Sequence, residues 1–234
     1  MRRLNVAVVL AGGSGRRLGG DLPKQFLQVG GRRIIEYSID AFEKNVGIDE
    51  ISVVVNQDYV SLMDEIVAAN SWTKLKHVLH GGAERYDSSL SAIRSYEGTS
   101  CNLIFHDAVR PLVSQRIISD VVAAIENYNS VAVSVPATDT IVKVDESGRM
   151  IGEILQRSQL RCQQTPQGFH YETIAKAYKV ALEDPNFVVT DDCGVVSRYL
   201  PEEKIFIVDG EDTNIKVTYR NDLEILECWL NELK

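Results

Sequence analysis

The sequence predicts an α/β fold in which a parallel sheet is flanked by helices, and three observations carry that expectation. Short apolar runs alternate with helical patterns over most of the 234 residues, because each crossover between parallel strands needs a helix to cover the sheet. A glycine-rich turn at residues 10–24, LAGGSGRRLGGDLPK, follows directly on the first apolar run. The other polar motifs fall just after predicted strands, where the ligand crevice of an open parallel sheet lies.

The strand candidates are residues 6–10, 51–55, 76–79, 102–105, 130–135 and 205–208. Between them, Ile35, Ile39 and Phe42 share one helical face, as do Ile117, Val121 and Ile125. Leu223, Leu226, Leu230 and Leu233 repeat the spacing at the end of the chain. All three stripes are expected to pack into the core. One interval, residues 136–164, breaks the alternation: TIVKV and the turn at Ser147-Gly148 suggest a β-hairpin, too polar for the central sheet, that could reach another subunit. No repeat or low-complexity linker divides the chain, which reads as one domain over 1–234 with 136–164 as a subregion.

Glycines in the first loop let the backbone lie against a ligand, and successive N–H groups there form an anion-binding concavity. Arg16, Arg17 and Lys24 add positive charge suited to a triphosphate. Two familiar phosphate loops do not fit. The dinucleotide fingerprint needs glycine where Leu18 stands, and a Walker register places Asp21 and Leu22 at the Lys and Ser/Thr positions.

A net charge of −8 argues against a general nucleic-acid binder, whose affinity comes largely from cationic contacts with phosphates. The positive charge is local. Cys101, Cys162, Cys193 and Cys228 are too far apart for a zinc knuckle or redox pair and are expected to be free, buried thiols. The apolar run after Met1-Arg2-Arg3 is too short for a signal peptide, and no stretch matches a membrane span, so a cytoplasmic protein without nucleic-acid or membrane partners is expected.

Several further motifs could do chemistry. GGAERYDSS, residues 81–89, places Arg85 and Ser88 at a predicted helix start, favourable for an anion or a polar base edge. HDAVRP, residues 106–111, offers Asp107 for a divalent cation or ribose hydroxyl and Arg110 for an anion, with an internal salt bridge as the plain alternative. His106 reads as a structural histidine. Asp139-Thr140, Gln156-Arg157-Ser158 and Lys216 within TNIKVT are further anion contacts, and Thr190-Asp191-Asp192 is equally an N-cap. Dispersed Arg, Lys, Thr and Asp without a serine–histidine pair point to phosphate chemistry.

In order, AGGSGRRLGGDLPKQF, GGAERYDS, HDAVRP, DTIVKV, QRSQLRCQQTPQGF and DTNIKVT closely resemble the family of 2-C-methyl-D-erythritol 4-phosphate cytidylyltransferases and the related ribitol-5-phosphate enzymes, over essentially the whole chain. The resemblance implies a Rossmann-like, mostly parallel nucleotidyltransferase sheet with a projecting β-arm that interlocks two subunits as a homodimer. It places the CTP triphosphate on Gly13, Gly15, Arg17 and Lys24, and cytosine and ribose near Ala11, Gly12, Gly82, Arg85 and Ser88. Asp107 is implied near the ribose and Mg²⁺, which would be bound mainly through the CTP phosphates. The acceptor phosphate falls to Arg110, Thr190 and Lys216, with Thr140 and Arg157 from a partner's arm; Arg17, Lys24, Thr140 and Arg157 form the expected catalytic set.

The implied reaction is in-line attack by a small polyol phosphate on the α-phosphorus of CTP, with pyrophosphate leaving. RSQLRCQQTPQGF resembles the methylerythritol branch, the acceptor expected first. Val109, the TIV of the arm and LPEEKIFIV resemble the ribitol-phosphate enzymes, and Ala83 and Gln156 replace acidic residues common in the methylerythritol branch. D-ribitol 5-phosphate is therefore the alternative acceptor. Use of another base, or a non-catalytic nucleotide sensor, are the alternatives of other classes.

Overall fold

Along β1 (Leu4–Ala11), successive side chains bury on opposite faces: Val6, Val8 and Leu10 enter one core cluster, and Ala7, Val9 and Ala11 the other. A strand apolar on both faces belongs inside a sheet covered on both sides. The structure, a computed structural model, describes residues 2–13, 22–82 and 84–232. A small hairpin of β2 (Gln28–Val29) and β3 (Arg32–Arg33) leads into α1 (Ile34–Lys44). Then come β4 (Glu50–Val55), α2 (Val60–Ala69), β5 (Leu75–His80), α3 (Arg85–Ser95), β6 (Cys101–Asp107), α4 (Gln115–Ile125) and β7 (Ser130–Pro136).

A second hairpin, β8 (Val142–Val144) and β9 (Ile151–Ile154), precedes β10 (Arg161–His170), α5 (Tyr171–Ala181), α6 (Asp192–Tyr199), β11 (Phe206–Asp209) and α7 (Arg220–Glu232). The seven-stranded sheet runs β11-β7-β10-β6-β1-β4-β5, parallel throughout except β10, which is antiparallel to both neighbours.

The expected stripes pack as the helical period requires. Ile35, Ile39 and Phe42 of α1 and Ile117, Val121 and Ile125 of α4 meet Met63 and Ile66 of α2 on one face. Leu90 and Ile93 of α3, Ile174 and Tyr178 of α5 and Val195 of α6 cover the other. Leu226 is fully buried against Val29, Ile34, Val109 and Val217, with Leu223 and Leu230 beside it; such burial contributes roughly 1.5–3 kcal/mol. Leu233 lies outside the described residues.

β10 is the strand that the apolar pattern missed. Its stretch QQTPQG is polar, yet residues 164–169 are buried. The amides are satisfied from outside the strand: Gln164 Nε2 donates to Glu211 O at 2.9 Å and Gln167 Nε2 to Asp191 Oδ2 at 2.9 Å. Pro166, which has no N–H to pair, sits where the register with β7 shifts.

The hairpin expected within 136–164 is present as a separate two-stranded sheet. Its turn is closed by Asp145 Oδ1, which accepts from Ser147 N at 3.1 Å, and by Gly148 at φ +68°. The sequence expectation that the hairpin is too polar for the central sheet does not account for its separation, because Val144, Met150, Ile151 and Ile154 are all exposed apolar side chains on it. The cysteines are free, but only Cys101 and Cys193 are buried; Cys162 and Cys228 are exposed. No helix among the described residues is long and apolar enough to cross a membrane.

Candidate active site

Just past the carboxyl ends of β1 and β5, Gly12 and Gly81 lie against the Ser88 side chain. A Cβ at Gly12 would lie 2.5 Å from Ser88 Oγ, and one at Gly81 would lie 2.6 Å from the same atom. The first turn of α3 lies between the end of β1 and the loop after β5, so a side chain at either glycine would have to displace the Ser88 hydroxyl. Arg85 and Ser88 thus stand at a helix start beside the glycine loop, as expected. Ala11, Gly12, Gly13 and Gly82 line the same region, whereas Gly15 and Arg17 lie outside the described residues.

Arg85 is not the solvated arginine of a plain helix cap. Its Nη1 donates to Asp192 Oδ2 at 2.8 Å and its Nε lies 3.6 Å from Asp107 Oδ1. Asp192 is fully buried and also accepts from Tyr178 Oη at 2.7 Å. Burial alone would lower the Arg85 pKa, but the charges of Asp192 and then Asp107 outweigh it and raise it. The neighbouring Asp191 is the N-cap of α6, its Oδ1 accepting from Gly194 N at 2.8 Å. The N-cap reading of Thr190-Asp191-Asp192 holds through Asp191, while Asp192, fully buried, is the ion-pair partner of Arg85.

Asp107 closes β6. Its Oδ2 accepts from Lys216 Nζ at 2.7 Å, so its carboxylate sits between two cations. Burial would raise its pKa, yet Arg85, Lys216 and Arg110 hold it well below the usual carboxylate range. The internal ion pair expected as the plain alternative is thus present, but with Arg85 and Lys216 as partners. Arg110 Nη1 donates instead to Asn214 O at 2.7 Å.

The segment 214–217 is the seam that draws these parts together. Arg110 reaches its Asn214 carbonyl, Lys216 reaches Asp107, Lys24 Nζ donates to Val217 O at 2.8 Å, and Val217 N donates to Val109 O at 2.9 Å. Asn214, fully buried, adds bonds from Nδ2 to Thr165 O at 2.9 Å and Gln164 Oε1 at 3.1 Å. Four motifs far apart in sequence meet there.

His106 is structural, as expected. It is fully buried, and burial pushes its pKa down to about 4, so the ring is neutral. Nε2 faces Arg110 O at 3.0 Å and Nδ1 faces Thr165 Oγ1 at 3.0 Å. Thr165 Oγ1 also accepts from Asp107 N at 3.1 Å. One consistent assignment satisfies every group: Nε2–H donates to the carbonyl and Nδ1 accepts from the hydroxyl. The ring and Thr165 thereby fix the turn carrying Asp107 and Arg110.

Thr140 and Arg157 lie on and beside the arm, both exposed, and Arg157 Nη1 donates to Thr138 O at 3.0 Å within it. Thr190 is exposed just ahead of α6. Sequence reasoning missed Gln25, Thr165, Asp192 as a charge partner and Asn214. The available signal was weak: polar residues inside quoted motifs, at positions with no patterned role.

A mostly parallel sheet with a glycine-rich stretch after its first strand, and four cations gathered with two carboxylates at its carboxyl edge, is the frame of a nucleotidyltransferase. Residues 5–232 match the family model described as 2-C-methyl-D-erythritol 4-phosphate cytidylyltransferase, and the chain belongs to that family. It is 44% identical over 229 residues to the 2-C-methyl-D-erythritol 4-phosphate cytidylyltransferase of Thermobifida fusca, covering 96% of this chain and 92% of that one. It is 40% identical over 225 residues to the bifunctional ribulose 5-phosphate reductase/CDP-ribitol pyrophosphorylase Bcs1 of Haemophilus influenzae, covering 95% of this chain and 47% of that protein. The crystal structure of 4-diphosphocytidyl-2C-methyl-D-erythritol synthase from Anaerococcus prevotii superposes with a TM-score of 0.86 at 26% identity, over 98% of this chain and 96% of that one.

Proposed function

We propose that this chain transfers the CMP moiety of CTP to 2-C-methyl-D-erythritol 4-phosphate, releasing pyrophosphate. The observation that carries the reading is the seam at 214–217, which ties Lys24 at the end of the glycine loop to Asp107 and Arg110 at the end of β6. That arrangement suits two phosphate-bearing substrates meeting over one carboxylate.

An acceptor phosphate oxygen attacks the α-phosphorus, a P–O bond to it forms, and the bond to the departing pyrophosphate breaks. A phosphate monoester, with a second pKa near about 6, is largely dianionic at neutral pH, so no general base is needed. This accords with a neutral, fully hydrogen-bonded His106. Lys24 and Arg17 neutralise charge as the phosphorus becomes pentacoordinate. Lys216, Arg110 and Thr190 hold the acceptor phosphate, joined by Thr140 and Arg157 from the arm of a second copy. The exposed Val144, Met150, Ile151 and Ile154 give that arm an apolar surface to bury in a homodimer.

The family relationship supports a divalent cation, here proposed as Mg²⁺. Among the described residues no three His, Cys, Asp or Glu side chains group as ligands, and Asp107 is already balanced by Lys216 and Arg85. This donor set fits a cation carried in on the triphosphate, with Asp107 as its one carboxylate. Bound there, it would offset the phosphate charge.

A second acceptor, D-ribitol 5-phosphate, is favoured by the 40% identity to the CDP-ribitol protein. Pyrophosphate release measured with CTP and each polyol phosphate decides between them. Faster turnover with the methylerythritol substrate is expected; turnover with ribitol phosphate alone reverses the assignment, and CTP binding without release from either removes the catalytic reading.

A further inference from the structure

The loop proposed to hold the triphosphate runs from the end of β1 to Lys24, and the residue after Lys24 reaches back to where the loop begins. Gln25 is 2% exposed. Its single amide nitrogen, Nε2, lies 2.6 Å from Ala11 O and 2.9 Å from Gly13 O. Nε2 has two hydrogens, and each is spent on one of these carbonyls. The side chain is therefore a staple across the two ends of the loop, made with both of its donors.

Two consequences follow from covalent geometry and burial. In a trans peptide the carbonyl and the next N–H point in opposite directions, so turning the Ala11 carbonyl toward Gln25 aims the Gly12 N–H away from it. Donors freed in this way are what a glycine loop offers an anion. The staple also fixes the loop's ends before a ligand arrives, which lowers the ordering cost of binding. Ser88 packs against the same strand end, its Oγ lying 2.5 Å from where a Cβ on Gly12 would stand.

We infer that Gln25 is a positioning residue for nucleotide binding, acting through its two N–H bonds rather than through its bulk. The inference rests on the reading that the glycine loop holds the CTP triphosphate. Other buried amides are placed differently: Gln167 serves Asp191 and Cys193 N at the start of α6, and Gln164 serves Glu211 O and Asn214. Gln25 alone of these bonds the glycine loop.

The test compares wild-type protein with Gln25→Glu and Gln25→Met. The first keeps the shape but sets carboxylate oxygens against two carbonyls; the second keeps the bulk and removes both donors. CTP affinity is read by calorimetry, and KM for CTP and for the polyol phosphate by pyrophosphate release. Both variants are expected to weaken CTP binding and raise its KM by roughly tenfold or more, the scale of losing buried hydrogen bonds, with acceptor KM within about twofold. Should Gln25→Glu fail to fold, Gln25→Met carries the comparison alone.

Wild-type CTP affinity in either folded variant overturns the inference and leaves the loop's assignment standing, as does equal loss for both substrates. If the wild-type protein itself does not bind CTP, the loop's assignment falls first and takes the inference with it.

Discussion

Lys216 Nζ stands 2.7 Å from Asp107 Oδ2, a contact made across 109 residues of chain. The Lys216 side chain is 41% exposed while that of Asp107 is nearly buried, so Lys216 keeps a solvent-facing part beside its counterion. It is this cation that is proposed to hold the acceptor phosphate. Lys216→Ala is accordingly expected to raise acceptor KM at least about tenfold, the scale of losing a charge-assisted hydrogen bond, with a smaller change in KM for CTP. Steady-state kinetics with each substrate varied in turn checks this, and a larger effect on CTP would remove Lys216 from the acceptor side.

Lys24 is proposed to act at the chemical step. Lys24→Ala is expected to lower kcat by about 100-fold or more, as loss of a principal electrostatic stabiliser does. A near-normal turnover at saturating CTP would take Lys24 out of that step, leaving its bond to Val217 O as a structural tie.

If the arm completes a neighbour's site, the two halves of one active centre come from different copies. Arg157→Ala is then expected to harm acceptor use while sparing CTP binding. A mixture of Lys24→Ala and Arg157→Ala protein, unfolded and refolded together, should recover up to about a quarter of wild-type activity, because mixed dimers carry one site with both residues intact. No recovery, in a mixture shown to contain mixed dimers, would place Arg157 in the site of its own chain.

Protonation of His106 sets an acid-side slope in stability. Its folded pKa, pushed by burial to about 4, lies below its ordinary value of 6.5, so the unfolded chain binds the proton more readily between those values. The stabilisation is full above pH 6.5 and is lost as pH falls toward 4, amounting to about 3 kcal/mol at most. Denaturant unfolding of wild type and His106→Gln between pH 7 and pH 4.5 measures it. The variant should be less stable at neutral pH, with a flatter dependence. Parallel curves would show that the histidine does not govern this range.

The sequence carried the periodic part of this protein. The strand runs at 6–10, 51–55 and 102–105 and the stripes Ile35-Ile39-Phe42 and Ile117-Val121-Ile125 are legible because apolar spacing at two or 3.6 residues is a local signal of which face is buried. The short motifs, read through their family resemblance, also marked Lys24, Arg85, Asp107, Arg110 and Lys216 before any contact was visible. What periodicity did not reveal is polar: β10, whose buried glutamines look like a loop until Glu211 and Asp191 supply their partners.

The pairings inside the site were set by tertiary structure alone. Nothing in the order of residues says that Arg85 pairs with Asp192, that Gln25 bonds Ala11 and Gly13, or that the 214–217 segment joins Lys24, Asp107 and Arg110. The reason is physical. Apolar burial is non-directional and needs only the right face, whereas a buried charge or amide is stable only when a particular distant partner is delivered within hydrogen-bond reach, and the sheet topology makes that delivery.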